Sequence, residues 1–130
     1  MDTQGLLINL VVTPADVQDR DMIAALLKLA KQRFPTLLRA IADGGYQGAP
    51  TAAAVLEAAA IPLEIVKRSD TAKGFVLLPK RWIVERTFGW LGRCRRLAKD
   101  FENLTRTQAA FVILAMIRLM VRRIARACPS

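Results

Sequence analysis

Apolar positions in this chain fall into short unbroken runs and into stretches at helical spacing, and the two patterns take turns. Residues 6–12, Leu-Leu-Ile-Asn-Leu-Val-Val, form a β-rich run closed by Thr13-Pro14. Thr13 with Asp16 three residues later makes a capping pair, and Pro14 suits the first position of a helix. Ile23, Leu26, Leu27, Ala30 and Phe34 follow at helical spacing until Pro35 stops them. Residues 37–42 read as a short buried strand, with Gly44-Gly45 as the turn after it. Residues 51–60 are Ala-rich and helical, and residues 61–66 read as a further strand with Pro62 near its start. A polar loop over residues 69–74 leads to a helix from near Pro79 to about Lys99. A last helix runs from near Thr105 or Thr107 to Arg126. Alternating strands and helices predict an α/β fold, a central sheet with helices packed on it.

Charge changes this picture along its length. The formal net charge is +9 over 130 residues, enough chain for one domain with its own core. Residues 1–65 hold five Lys/Arg against seven Asp/Glu, a net of −2. Residues 66–130 hold fifteen against four, a net of +11. The second half is therefore the polyanion-facing half. With no His, and with Cys94 and Cys128 far apart, no zinc-ligand spacing exists. Two free thiols suit a reducing cytoplasm. No signal peptide is visible, and the longest apolar run, residues 109–117, is too short to span a bilayer.

Three carboxylates stand out against this frame. Asp2 precedes the first apolar run, Asp43 ends the second strand, and Glu85 lies in the basic, aromatic stretch Arg81-Trp82-Ile83-Val84-Glu85-Arg86-Thr87-Phe88-Gly89-Trp90. Acids gathered at strand ends and on a helix repel one another unless a hard cation holds them. In so basic a chain, the substrate of that cation is expected to be a phosphodiester. Singly, each has a plainer reading: Asp2 as a chain end, Asp43 as a turn-former before Gly44-Gly45, Glu85 as an intrahelical partner of Arg81.

On a helix, Glu85 shares its face with Arg81, Phe88, Gly89 and Gly92. Glycines inside a helix cost about 1 kcal/mol each, a cost accepted where another backbone comes close. Either nucleic acid approaches a surface carrying Arg81, Arg93, Arg95, Arg96 and Lys99, or the glycines allow tight helix–sheet packing and the arginines are a solvated face. In the last helix Arg118, Arg122 and Arg126 make a basic stripe that reads as DNA contact or docking on another protomer. Ile113, Ile117, Met120 and Ile124 make an apolar stripe that reads as core. Trp82, Phe88 and Trp90 have the chemistry to stack on unpaired bases, with core packing expected for at least two of them.

Three segments carry a family resemblance. Asp2-Thr3-Gln4-Gly5-Leu6-Leu7 with Pro14 to Asp21, Ala42-Asp43-Gly44-Gly45-Tyr46-Gln47-Gly48, and the long stretch from Pro79 to Asp100 resemble the three acidic motifs of bacterial insertion-sequence transposases of the DDE class, in the insertion-sequence-five group. In the family's Tyr-x2-Arg-x3-Glu-x6-Lys signature, Arg81 and Glu85 match, Leu78 stands at the Tyr position and Gly92 at the Lys position, with Arg93 one residue later. The resemblance implies a ribonuclease-H-like mixed sheet flanked by helices as a core over residues 1–103, lacking most of its first strand. A basic amphipathic helix over residues 104–130 follows it.

What the resemblance implies chemically is DNA strand cleavage and strand transfer at insertion-sequence ends. Asp2, Asp43 and Glu85 are then both the catalytic and the metal-binding set for two Mg²⁺ ions, with Mn²⁺ as a substitute. Arg81, Arg86, Arg93, Arg95, Arg96 and Lys99 are then the DNA-binding set. Expected partners are double-stranded DNA, both transposon ends and target, and further copies of the chain on that DNA. An upstream transposase segment is also expected, because Met1 directly precedes Asp2 and the chain resembles a downstream half. The expected location is the cytoplasm, at the bacterial nucleoid, with no membrane. Two other functions fit the same residues: a basic DNA-binding remnant without catalysis, and a different metal nuclease on a similar fold.

Overall fold

The alternating pattern resolves into four α-helices and one parallel pair of strands among residues 1–66, 80–99 and 101–127, which a computed structural model describes. In chain order these are α1 (Asp19–Arg33), β1 (Ala40–Asp43), α2 (Ala49–Ala59), β2 (Leu63–Val66), α3 (Arg81–Gly92) and α4 (Thr105–Ala127). Short 3-10 turns follow β1 at Gly44–Tyr46 and α3 at Arg95–Leu97. The residues divide into two compact units, Thr13–Trp82 on one hand and Met1–Val12 with Ile83–Ser130 on the other. The polar loop expected at residues 69–74 lies outside the described residues.

The unit Thr13–Trp82 is built on β1, α2 and β2. Parallel strands cannot be joined by a tight hairpin, and α2 supplies the crossover. Ala40 pairs with Leu63 and Asp43 with Val66. Pro50 sits in the first turn of α2, where a missing N–H costs nothing. Ala60 ends the helix in the left-handed region, its N–H bonded to the Leu56 carbonyl. Val55 and Ile61 are 0 % and 1 % exposed and anchor a core with Ile23 and Ala59. Each such side chain contributes about 1.5–3 kcal/mol by leaving water. Leu27, Ala42 and Tyr46 pack against them.

Two boundaries in this unit differ from the sequence pattern, for local reasons. The first helix begins at Asp19 after Gln18, so Thr13 and Pro14 do not cap it. Val17 donates to the Pro14 carbonyl at 3.1 Å, which closes a separate turn there. Asp19 and Asp21 occupy the first helical turn, where the positive end of the helix dipole favours them. The strand begins at Ala40 instead of Leu37. Lys31 Nζ donates to the carbonyls of Pro35 and Leu37 at 2.8 and 2.7 Å, and Leu37 N–H donates to Phe34. The backbone at 35–37 is thus bonded locally and forms no ladder.

In the unit of Met1–Val12 and Ile83–Ser130, residues 6–12 are not a strand. The run has β propensity but no described strand pairs with it, and propensity without a ladder partner does not make a sheet. At its front Asp2 N–H donates to the Leu6 carbonyl at 2.8 Å and Gly5 N–H to the Asp2 carbonyl at 3.1 Å, a tight turn. The third helix ends at Gly92, well before Lys99. Cys94 donates to Leu91 and Leu97 to Cys94, three-residue bonds that tighten the chain after it.

The last helix starts at Thr105 as expected. Its inward residue is Met116, 2 % exposed. Ile113, Ile117 and Ile124 are 46 %, 44 % and 64 % exposed, so the stripe expected in the core lies open among the described residues. Trp82 and Phe88 are likewise exposed, against the expectation that at least two of the three aromatics pack inside; Trp90 is half-buried. No helix among the described residues is long and apolar enough to cross a membrane.

Candidate active site and nucleic-acid interface

Asp43 is the last residue of β1, at the carboxyl end of a parallel strand. That end is where ligands sit in open α/β sheets. Its extended backbone turns into the Gly44–Tyr46 turn, and its Oδ1 accepts the Gly45 N–H at 3.0 Å. The carboxylate is solvent-exposed. Nearby, burial pushes the Tyr46 phenol above its ordinary pKa, and the negative charges of Asp19 and Asp43 push it the same way.

Asp2 belongs to the other unit. Its Oδ1 accepts the N–H groups of Gln4 and Leu6, each at 2.8 Å, an arrangement aspartate favours in turns. Gly5, at φ +79° and buried, completes the turn. Its carbonyl and that of Gln4 dock on α3: Thr87 Oγ1 lies 2.9 Å from the Gly5 oxygen, and Arg86 Nη2 donates to the Gln4 oxygen at 2.7 Å. A Cβ on Gly5 would sit 2.7 Å from Thr87 Oγ1 and 3.2 Å from the Trp90 ring. Thr87 is 1 % exposed and also reaches the Ile83 carbonyl at 2.9 Å.

Glu85 sits two residues before Thr87, about 200° round the helix, so it faces away from the docked turn. It is exposed together with Arg81, Phe88, Gly89 and Gly92, the face its spacing predicts. A Cβ on Gly89 or Gly92 would meet nothing within 4 Å. Within their own unit, then, no close neighbour among the described residues accounts for either glycine. Their effect is to leave a smooth strip of helix backbone beside a carboxylate.

The basic residues sort by what already holds them. Arg86 bonds Gln4 and lies over the Trp90 ring at 4.7 Å. Arg96 pairs with Glu102 at 2.7 Å and lies over Phe111 at 5.2 Å. Arg123 covers Trp90 at 4.7 Å. Arg93, Arg95 and Lys99 are exposed. Thr87 and Gly5 were not legible as a pair in the sequence.

Within neither unit do the described residues gather three His, Cys, Asp or Glu side chains into a group able to hold a metal ion. Asp2 and Glu85 lie in one unit and Asp43 in the other. The donor chemistry nonetheless suits a hard divalent cation. Asp2 and Asp43 each accept backbone N–H groups on Oδ1, which orients the carboxylate, and hard oxygen donors of this kind suit such an ion.

The family model for the transposase DDE domain matches residues 1–120. The chain belongs to the transposase DDE domain family. The matched span includes Asp2, Asp43 and Glu85 and most of α4. No curated protein and no solved structure matches the chain. A transposase DDE domain works in DNA transposition, so the substrate class is DNA, and divalent metal chemistry belongs to the family. The mixed helices and small parallel sheet described above are consistent with such a domain.

Proposed function

We propose that this transposase domain cleaves and joins DNA strands at insertion-sequence ends, with Asp2, Asp43 and Glu85 as its metal-binding carboxylates. The observation that carries this reading is the family match across all three acids, with Asp43 at the carboxyl end of β1. The finer assignments are of the same kind: the insertion-sequence-five group and a ribonuclease-H-like core over residues 1–103 with a helical extension over residues 104–130. In this reading Mg²⁺ is the natural ion and Mn²⁺ a substitute, and the protein works as a homo-oligomer on DNA at the bacterial nucleoid.

Asp2, Asp43 and Glu85 would hold divalent ions, whose chemistry would be to activate the attacking hydroxyl and stabilise the leaving oxygen. The chain's own residues prepare that chemistry. The backbone N–H groups of Gln4 and Leu6 fix the Asp2 carboxylate, and that of Gly45 fixes Asp43. Fixed ligands suit an ion that tolerates little geometric error. Glu85 projects from a helix face bared by Gly89 and Gly92, where a sugar–phosphate backbone can come close. Arg81, Arg86, Arg93, Arg95, Arg96 and Lys99 supply cations along the same region of sequence, although Arg86 and Arg96 also bond within the protein.

The test is cleavage of insertion-sequence-end DNA with Mg²⁺, Mn²⁺ or chelator. Asp2→Asn, Asp43→Asn and Glu85→Gln should each abolish metal-dependent cleavage while leaving DNA binding. A protein that binds DNA but cleaves with none of these ions, or a Glu85→Gln variant that cleaves as wild type does, would overturn the reading.

A further inference from the structure

We propose that the cleft between α3 and α4 is a seat for one phosphodiester group of DNA, held by Arg93, Arg118 and Arg122. The proposal rests on the reading of DNA as substrate and brings α4 into the contact surface. The cleft has a volume of about 140 Å³, and its floor includes Trp90, Met116 and Leu119. The three arginines and Cys94 also line it. Binding sites for whole small molecules run to about 300–1,000 Å³, so this one takes a group and not a nucleotide with its base.

Charge makes the case. Among the described residues no Asp or Glu lines the cleft, and residues 105–127 contain none at all. Arg86 and Arg123 lie over Trp90, and Arg96 is held by Glu102 and Phe111. Arg93, Arg118 and Arg122 form no ion pair among the described residues. Arg93, Arg118 and Arg122 are solvent-exposed, so water screens their mutual repulsion, while an anion placed among the three guanidinium groups is attracted by each of them. The planar donor fork of arginine fits phosphate oxygens in pairs.

The arrangement favours a polymer of phosphates over a lone ion. Arg118, Arg122 and Arg126 repeat every four residues along one side of α4, a rise of about 6 Å per step. The stripe therefore continues past the cleft toward the end of the helix. The sequence alone showed the stripe; the structure adds that Arg93, from beyond the end of α3, closes the seat at its side.

Cys94 gives a local reporter. Its alkylation by iodoacetamide, followed by peptide mass spectrometry that separates it from Cys128, should slow severalfold when duplex oligonucleotide is bound. Arg118→Gln/Arg122→Gln should bind duplex about tenfold more weakly, lower the slope of log affinity against log salt by about one, and lose the protection. Lys28→Gln/Arg106→Gln removes the same charge elsewhere and should stay within about threefold of wild type. Circular dichroism melts check that both variants fold. If the cleft variant binds no worse than the charge-matched one, or Cys94 reacts unhindered on DNA-bound protein, the seat is wrong while DNA binding stands. No duplex binding by wild type at low salt would instead refute the DNA reading itself. Pyrophosphate that protects Cys94 as fully as duplex at equal phosphate concentration would overturn the polymer assignment in favour of a small-anion site.

Discussion

The Thr87 hydroxyl lies 2.9 Å from the carbonyl oxygen of Gly5, and through this bond the turn that holds Asp2 is fastened to the helix that carries Glu85. The residues are 82 apart in sequence. Burial of Thr87 at 1 % exposure makes the bond count, because an unmet polar group there has no water to turn to.

Breaking the contact from either side should loosen the front of the chain. Thr87→Val keeps the shape and loses the hydroxyl, leaving the Gly5 carbonyl unpaired, at a cost of about 1–3 kcal/mol. Gly5→Ala should cost at least as much, since its Cβ would meet Thr87 Oγ1 at 2.7 Å in a backbone region that side chains avoid. Thermal melts measure both. Hydrogen exchange at Gln4 and Leu6, whose N–H groups Asp2 holds, should speed up in each variant. Unchanged exchange there would show that the turn does not depend on α3.

Glu85→Gln should separate chemistry from stability. The side chain is exposed, so the folded state should change by no more than about 0.5 kcal/mol. Metal-dependent cleavage of insertion-sequence-end DNA should fall by about a hundredfold or more, because an amide is a neutral and poorer ligand for a hard cation. A loss of activity that tracks a loss of folding would assign Glu85 a structural role instead.

Tyr46 predicts an alkaline limit to the stability of its unit. Burial, helped by Asp19 and Asp43, raises its phenol pKa in the folded state. The folded protein therefore holds that proton more tightly than the unfolded chain does. The stability this contributes is complete below the ordinary value of about 10 and is lost as pH climbs through the raised folded value. Denaturant melts between neutral and strongly alkaline pH should show this loss in wild type and a flatter profile in Tyr46→Phe. Identical profiles would remove Tyr46 as the cause.

Elements whose signal is local were legible in the sequence. The crossover helix after Gly48, the strand ending in Asp43 and the long helix from Thr105 all follow from caps, glycines and spacing within a few residues. What depended on a distant partner was not. Residues 6–12 have strand composition, yet a strand exists only where another pairs with it. Lys31 took the carbonyls at Pro35 and Leu37 that a longer β1 would have needed, a contact no periodicity encodes. For the candidate site, motif spacing singled out Asp43 and Glu85. The roles of Thr87 and of Arg86, which bind the Asp2 turn, depend on contacts between segments more than eighty residues apart.

The orientation of α4 gives the sharpest disagreement with periodicity, and one pair of substitutions decides it. By spacing alone, Ile113, Ile117, Met120 and Ile124 form the inward stripe. In the structure Met116 faces inward, while Ile117, the next residue and about 100° further round, is 44 % exposed. Met116→Ala should then leave a cavity and cost about 2–5 kcal/mol. Ile117→Ala should cost about 1 kcal/mol or less, because roughly half of its surface is already in water. Charge sharpens the contrast: Met116→Lys would bury an unpaired ammonium and should abolish cooperative melting, whereas Ile117→Lys can extend into solvent. The ranking of the four melting temperatures is the measurement. If both substitutions at Ile117 prove the more damaging, the helix is turned with its isoleucine stripe inward, and the cleft that joins Arg118 and Arg122 to Arg93 would turn with it.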